Sequence, residues 1–137
     1  MAVKTAESGA TYRNRLSRSI VLAIRLLMQQ NKPDRSSLDK AAFVVLALEK
    51  IAESVNSSAE AWEKRDYWVK ADHFRSEWLW VDQSKISLEK VVRTQDWPEI
   101  ARELVQVAQH LRNVQISANN RIGEPWEGAW QLLSQRT

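Results

Sequence analysis

With 137 residues, of which 44% are apolar and 27% charged, the chain is long enough for one domain with a single core, and its composition excludes a wholly disordered protein. Cysteine is absent, which excludes structural disulfides, thiolate zinc sites and a cysteine nucleophile, and the three Gly and three Pro argue against a fold of strands and tight turns. The net charge of +3 is uneven: residues 1–35 carry seven basic and two acidic groups (+5), whereas residues 36–137 carry thirteen basic and fifteen acidic groups (−2), which suggests a local partner surface.

Hydrophobic periodicity predicts an all-α fold, with a flexible arm over residues 1–10 and a single helical-bundle domain over residues 11–137. The first helix is predicted over residues 11–30 and ends before Pro33. The second helix is predicted to be central, because its run from Ala41 to Leu48 is apolar on all sides.

Polar segments set the predicted limits of the second and third helices. Ser36 and Asp39 have the spacing of a capping box and predict the start of the second helix. A polar segment at residues 55–58 predicts a break and the start of a third helix, which would run to about Arg93. At about 1.5 Å per residue that helix would reach roughly 50 Å, so it is either kinked, split near residues 83–84, or projecting from the bundle.

The Asp96-Trp-Pro-Glu99 segment is typical of a helix start, since it combines an N-cap residue, an early proline and an acidic residue at N3. The fourth helix is predicted to run to residues 119–120, followed by a turn at residues 123–125 and a short last helix from about Trp126. Short connections favour antiparallel neighbours, so the predicted architecture is an antiparallel four-helix bundle with a short C-terminal helical segment.

No group of residues points to catalysis, a metal or a cofactor. The sequence has no Gly-x-Ser-x-Gly elbow, no glycine-rich phosphate loop and none of the paired Glu-x-x-His motifs of a di-metal bundle. Folding the chain about Gln95 brings His110 level with Trp80, about two turns or roughly 10 Å from His73. We therefore interpret the two histidines as polar or interface residues, and we predict no catalytic residue, no bound metal and no cofactor.

Four of the seven tryptophans, Trp62, Trp68, Trp78 and Trp80, fall within nineteen residues. One interpretation is that they fill the core, and the other is that an exposed subset anchors a protein interface or stacks on nucleic-acid bases. Tyr67 and Trp78 both lie on the apolar stripe of the predicted third helix, so Trp78 is expected in the core. Trp68 and Trp80 point elsewhere and are the predicted protein-interface residues.

Two arginine-containing stretches without carboxylates, Ser8 to Pro33 and Leu104 to Gly123, give the main functional signal. Arg15, Arg18 and Arg25 share the face of the first helix opposite its apolar stripe. Unpaired arginines with Asn and Gln nearby suit contacts with phosphate and sugar, while a merely solvated basic face stays open as the alternative. The residues predicted to contact a nucleic-acid backbone are Arg13, Arg15, Arg18, Arg25, Lys32, Arg102, Arg112 and Arg121.

The sequence favours a cytoplasmic protein without membrane contact. No signal-peptide core precedes the first helix, and the most apolar run, Ile20 to Met28, contains Arg25 and is too short to span a bilayer. The basic amphipathic first helix permits membrane docking, but the bundle needs its apolar face, so docking is not expected.

In size, helix content and basic faces, the chain resembles the small helical subunit of multisubunit CRISPR effector complexes. The resemblance covers the whole chain in character, and it rests on the Arg13-Asn-Arg-Leu-Ser-Arg18 segment and on the Arg, Gln and Asn face of the fourth helix rather than on a shared motif. It implies a role in antiviral defence, contact with RNA or DNA backbone, packing against other subunits or further copies of the chain, and no chemistry of its own.

Three hypotheses follow for the function. The first is a non-catalytic subunit of a nucleoprotein complex that binds nucleic acid independently of sequence and with strong salt dependence. The alternative is a protein–protein adaptor or self-assembling bundle in which the arginines are solvated and tryptophans form the interface. The third is an enzyme or a metal protein.

Overall fold

The computed structural model describes residues 7–136, and within them the chain forms six helices and no strand, which confirms the predicted all-α bundle. Residues 111–128 form turns and irregular structure before the last helix. Of the predicted arm, residues 1–6 lie outside the described part of the chain, and Gly9 and Ala10 already belong to the first helix. The helices are α1 (Gly9–Met28), α2 (Arg35–Glu63), α3 (Trp68–Glu77), α4 (Leu79–Arg93), α5 (Trp97–His110) and α6 (Ala129–Ser134).

Helix α2 is the centre of the bundle, as its apolar run predicted. It packs against α1, α3, α4 and α6, while α5 packs mainly on α4. Ala41, Val44, Val45, Leu48 and Ile51 are completely buried. Because burial of apolar area is the main favourable contribution to folding, α2 contributes most of the surface on which the other helices assemble.

The predicted break at residues 55–58 is wrong, since α2 continues without interruption to Glu63. Instead of ending α2, polar side chains at residues 54–58 form hydrogen bonds with neighbouring helices. Ser54 and Ser58 accept hydrogen bonds from Arg13 of α1, and Asn56 accepts one from Arg75 of α3. Tertiary partners thus outweigh the tendency of Ser and Asn to compete with helical hydrogen bonds.

Helix α2 ends instead at a left-handed residue, Asp66 (φ 65°). The N–H of Tyr67 donates to the carbonyl of Trp62 at 2.9 Å, and the N–H of Asp66 donates to that of Glu63 at 3.0 Å. These are the two hydrogen bonds of a Schellman motif, which usually has glycine at the left-handed position. Helix α3 begins directly after this turn, and Tyr67, predicted on a core stripe, is half exposed.

The long third helix of the prediction is therefore divided, but not near residues 83–84. A second interruption of the helix occurs at Trp78 (φ −107°, ψ 7°), which separates α3 from α4. The half-buried Trp78 packs against the core there. Residues 83–84 lie inside α4, whose Lys85 forms ion pairs with Glu49 of α2 and Glu89 of α4.

The N-terminal caps agree with the prediction at α5 but not at α2. Asp96 accepts a hydrogen bond from the Glu99 N–H at 3.3 Å, as predicted. The capping box of α2 is formed by Asp34 and Ser37 rather than by Ser36 and Asp39. The Asp39 carboxylate instead accepts hydrogen bonds from the N–H groups of Gly128 and Trp130 at the start of α6.

Helix α5 ends at His110, well before the predicted residues 119–120. Beyond it, polar side chains bond to nearby backbone in place of helical partners. The Asn120 amide donates to the Ser117 carbonyl at 3.0 Å and accepts from the Ile122 N–H at 3.2 Å. Such local bonds stabilise turns at the expense of helix.

Candidate nucleic-acid interface

Two adjoining clefts lie between the N-terminal half of α1 and residues 113–125 of the irregular segment. The first has a volume of about 400 Å³ and is lined by Arg15, Arg18 and Arg121 together with Ser117 and Asn120. The second has a volume of about 520 Å³, and Arg18 lines both. We call the two together the α1 cleft. Its remaining lining residues are Thr11, Asn14, Ser19, Asn113, Val114, Gln115, Ile116, Ile122 and Pro125, so no carboxylate of the described residues 7–136 lines it.

Local structure explains why these arginines meet. Arg15 and Arg18 are three residues apart on α1 and therefore share one face, while the buried Leu16 and Ile20 face the core. The hydrogen-bonded turn around Asn120 folds the irregular segment back so that Arg121 lies at the same cleft. Three of the eight predicted backbone-binding residues are thus brought together.

The three arginines of the α1 cleft differ in their partners. Arg15 forms a bidentate ion pair with Glu7, in which Nη2 donates to Oε1 at 3.1 Å and Nε donates to Oε2 at 3.2 Å. Its guanidinium carbon lies 5.3 Å from the centre of the Tyr12 ring. The hydrogen bond from Arg15 lowers the pKa of Glu7, and the same bond raises the pKa of Arg15. Arg18 and Arg121 are exposed and form no ion pair within residues 7–136.

The structure does not place Arg13 at the cleft. Arg13 is only 7% exposed, and its Nη1 donates to the hydroxyls of Ser54 and Ser58 at 2.9 and 3.0 Å. Its guanidinium lies 4.9 Å from the centre of the Phe74 ring and 5.9 Å from that of Trp78. Burial lowers the pKa of this guanidinium. Arg13 therefore holds α1 against α2 and α3 and is not available to a ligand on the surface.

The other four predicted cations are exposed but lie outside the α1 cleft. Arg25 is seven residues, about two turns, beyond Arg18, and Lys32 is in the connection between α1 and α2. Arg102 on α5 is 3.5 Å from Glu99. Arg112 directly precedes Asn113 of the cleft, so it is the one of the four with the shortest connection to it along the chain.

A continuous series of aromatic contacts accounts for Trp80, one of the two predicted interface tryptophans. The series links Trp62 to Phe74 (4.8 Å between ring centres), Phe74 to Trp78 (6.4 Å) and Trp78 to Trp80 (6.5 Å). Trp80 then stacks on His110 at 4.2 Å with an interplanar angle of 5°. The predicted alignment of His110 with Trp80 is confirmed, and one face of the half-buried Trp80 is occupied inside the molecule.

Trp68, the other predicted interface residue, is 56% exposed at the turn between α2 and α3. Tyr67 is 50% exposed and Val69 is 84% exposed, so three apolar side chains in a row face solvent. Sequence reasoning missed Tyr67 and Val69, and the signal that could have found them is an apolar triplet that interrupts a run of charged residues. We call residues Lys64, Arg65, Tyr67, Trp68, Val69 and Lys70 the α3 corner.

Residues 7–136 contain no group of three or more His, Cys, Asp or Glu side chains arranged to hold a metal ion. His73 contacts Glu77 at 2.8 Å on the exposed surface of α3, and it is far along the chain from the stacked His110. None of the helices in that part of the chain has the length and apolar character needed to cross a membrane.

The arrangement of the α1 cleft suits one kind of chemistry, which is the binding of an extended polyanion. Planar guanidinium groups form paired hydrogen bonds with phosphate oxygens, and neighbouring amides and hydroxyls bond sugar or base edges.

No protein-family model matches the sequence, and no curated protein or solved structure matches it either.

Proposed function

We propose that this protein is a non-catalytic subunit of a nucleoprotein complex and contacts nucleic-acid backbone, independently of base sequence, through the α1 cleft. The observation that carries the proposal is the meeting of Arg15, Arg18 and Arg121 at a surface that amides, hydroxyls and apolar side chains line and to which residues 7–136 contribute no lining carboxylate. Of the three arginines, only Arg15 has an acidic partner, Glu7, within residues 7–136.

The ion pairing of the three arginines determines how the cleft would bind phosphate. Arg18 and Arg121 form no ion pair with any residue from 7 to 136, so contact with phosphate would not require either to break one there. Arg15 would exchange its bidentate bond to Glu7 for a phosphate, and because that pair is exposed, breaking it costs less than breaking a buried pair. Release of counterions from the nucleic acid would then drive binding and make it depend steeply on salt.

The resemblance to CRISPR small subunits gives this proposal a specific setting, in which the chain would lie along a guide RNA and its DNA target in the cytoplasm and pack against other subunits. Arg25, Lys32, Arg102 and Arg112 would supply further contacts along a longer path. Pull-down of the full chain with candidate partner subunits, with and without RNA, is the measurement for this part of the proposal.

Fluorescence anisotropy tests the central claim. Labelled single-stranded RNA, single-stranded DNA and duplex DNA are titrated with protein at about 50 and 200 mM salt. The double variant Arg18→Glu/Arg121→Glu is expected to lose most of the affinity for all three. Removal of two phosphate contacts should also reduce the slope of log K against log salt by about two for duplex DNA.

The matched control is Arg35→Glu/Lys90→Glu, which changes the net charge equally at two exposed residues outside the α1 cleft. Equal loss of affinity in both double variants would show general charge attraction, and binding that does not respond to salt would overturn the proposal.

The second candidate function, a protein–protein adaptor or self-assembling bundle, is favoured by the exposed apolar side chains of the α3 corner. It predicts a stable oligomer without nucleic acid, measured by light scattering on a sizing column, and loss of that oligomer in Trp68→Ala. Trp80→Ala serves as the comparison, because its stacking on Trp78 and His110 makes its effect on folding larger.

A further inference from the structure

We propose that the α3 corner is a base-stacking site for single-stranded nucleic acid. This inference rests on the proposed function and names the form of nucleic acid that the protein would prefer. Its basis is a pair of half-exposed aromatic rings, Tyr67 and Trp68, on a shallow depression of about 670 Å³. Every base has a flat π face, so exposed rings bind single strands without selecting sequence.

The charges around the rings complement a phosphate backbone. Lys64, Arg65 and Lys70 flank the two rings along the chain, and none of them forms an ion pair within the described residues 7–136. Asp66 is the one acidic residue inside this stretch of the chain, which leaves an excess of positive charge. Arg65 lies 5.3 Å from the Tyr67 ring, and Lys70 lines the same depression as the two rings while its ammonium lies 4.6 Å from the ring of Trp62 on α2.

The size of the apolar patch favours bases over a protein partner. A stable protein interface buries about 800 Å² on each side and has an apolar centre within roughly 20–30 residues. Here three apolar side chains are bordered by Lys64, Arg65, Asp66, Lys70 and His73. Two rings with charged neighbours are too few for such a centre, but each ring is sufficient to stack one base.

The backbone that carries the rings is also fixed before any ligand binds. The Tyr67 N–H of the Schellman turn donates to the Trp62 carbonyl, and Arg75 of α3 forms a bidentate ion pair with Glu63 of α2 at 2.7 and 3.0 Å. Ordered backbone at a site reduces the conformational entropy lost on binding. Arg13 contacts Phe74, Phe74 contacts Trp62 and Trp62 contacts Lys70, each within 5 Å, so the corner is joined to the buried face of α1.

The test compares three labelled probes by anisotropy at about 50 mM salt: a pyrimidine strand of about ten nucleotides, an abasic strand of equal length, and duplex DNA. Trp68→Ala is expected to weaken binding of the pyrimidine strand about tenfold and to leave binding of the other two unchanged. Trp68→Phe should retain most of the affinity, because it keeps a ring. Ile86→Ala removes an equally exposed apolar side chain from α4 and should change nothing.

The possible results distinguish the stacking site from the proposed function. If Trp68→Ala weakens all three probes equally, or none, while Arg18→Glu/Arg121→Glu abolishes binding, the stacking site is overturned and the proposed function stands. If the wild-type chain binds no probe, both proposals fail. If Trp68→Ala dissociates an oligomer and leaves strand binding intact, the corner is a protein interface and the stacking site is overturned.

Discussion

Arg13 and Arg18 show how position within one helix decides the use of the same side chain. Arg13 is buried against Ser54, Ser58, Phe74 and Trp78, whereas Arg18 is exposed at the α1 cleft. Uncompensated burial of a guanidinium is costly, and here hydroxyl acceptors and two aromatic faces offset that cost. The first residue therefore contributes to stability and the second to binding.

This division predicts that alanine substitutions at Arg13 and Arg18 differ in their effect on the free energy of unfolding. Arg13→Ala should lower the free energy of unfolding by about 2 kcal/mol, because it removes packing, cation–π contacts and the partner of two hydroxyls. Arg18→Ala should change it by less than about 0.5 kcal/mol, since its side chain is exposed. Urea denaturation measures both, and equal stability of the two variants would contradict the structural role of Arg13.

At the same scale, part of this could be predicted from the sequence. Arg13 stands three residues before Leu16 and seven before Ile20, so it falls on the apolar face and not on the face of Arg15, Arg18 and Arg25. What the sequence could not show is which partners would satisfy it, because Ser54 and Ser58 are more than forty positions away. The meeting of Arg121 with Arg18 was unpredictable for the same reason.

Among the elements, helix ends were harder to predict than helices. Asp66 and Gln95 both adopt left-handed backbone (φ 65° and 55°) in Schellman turns, at positions where glycine is usual. Without glycine the sequence gives no stop signal at Asp66, and the polar residues near Ser57 gave a false one. At Gln95 the following Asp96-Trp-Pro segment supplied the missing signal, and that boundary was predicted correctly.

The cap of α2 carries a prediction about acid. Hydrogen bonds from the Ser36 hydroxyl and the Ser37 N–H lower the pKa of Asp34 from its usual 3.8 to about 2. Since the pKa is lower in the folded state, the charged cap stabilises the protein fully above pH 3.8, and this contribution is lost as the pH falls through about 2.

Asp34→Asn keeps a capping side chain without a titrating group. Denaturation midpoints from pH 5 to pH 2 should therefore show the wild type more stable than the variant at pH 5, with the difference shrinking toward pH 2. A constant difference over this range would mean that Asp34 has an ordinary pKa in the folded protein.

In the whole molecule, α6 is held by residues far away in the sequence. Asp39 of α2 caps its start, and near its end Arg136 pairs with Glu49 of α2 at 2.7 Å while its carbonyl accepts a hydrogen bond from Arg93 of α4. Leu133 is completely buried between these two attachments. A helix of six residues is too short to be stable alone, so its order depends on these contacts.

Asp39→Ala should therefore lower the free energy of unfolding by about 1–2 kcal/mol, because two N–H groups lose their acceptor. Hydrogen exchange followed by mass spectrometry should show lost protection at residues 128–134 while α1 and α4 keep theirs. Asp72→Ala, an exposed acidic residue of α3, is the control and should change stability by less than about 0.5 kcal/mol. Loss of protection throughout the bundle would show that α6 does not unfold separately.

The contact of Arg13 with Ser54 and Ser58 has a consequence for how α1 and α2 are aligned. Apolar packing alone discriminates weakly between neighbouring offsets of two helices, because one apolar ridge resembles the next. Ser54 and Ser58 are about one turn apart on α2, so a slip of one turn, about 5.4 Å, would leave the buried guanidinium of Arg13 with only one of its two hydroxyl acceptors. This polar contact thus favours one offset between α1 and α2, and with it the position of Arg15 and Arg18 at the cleft that Arg121 also lines.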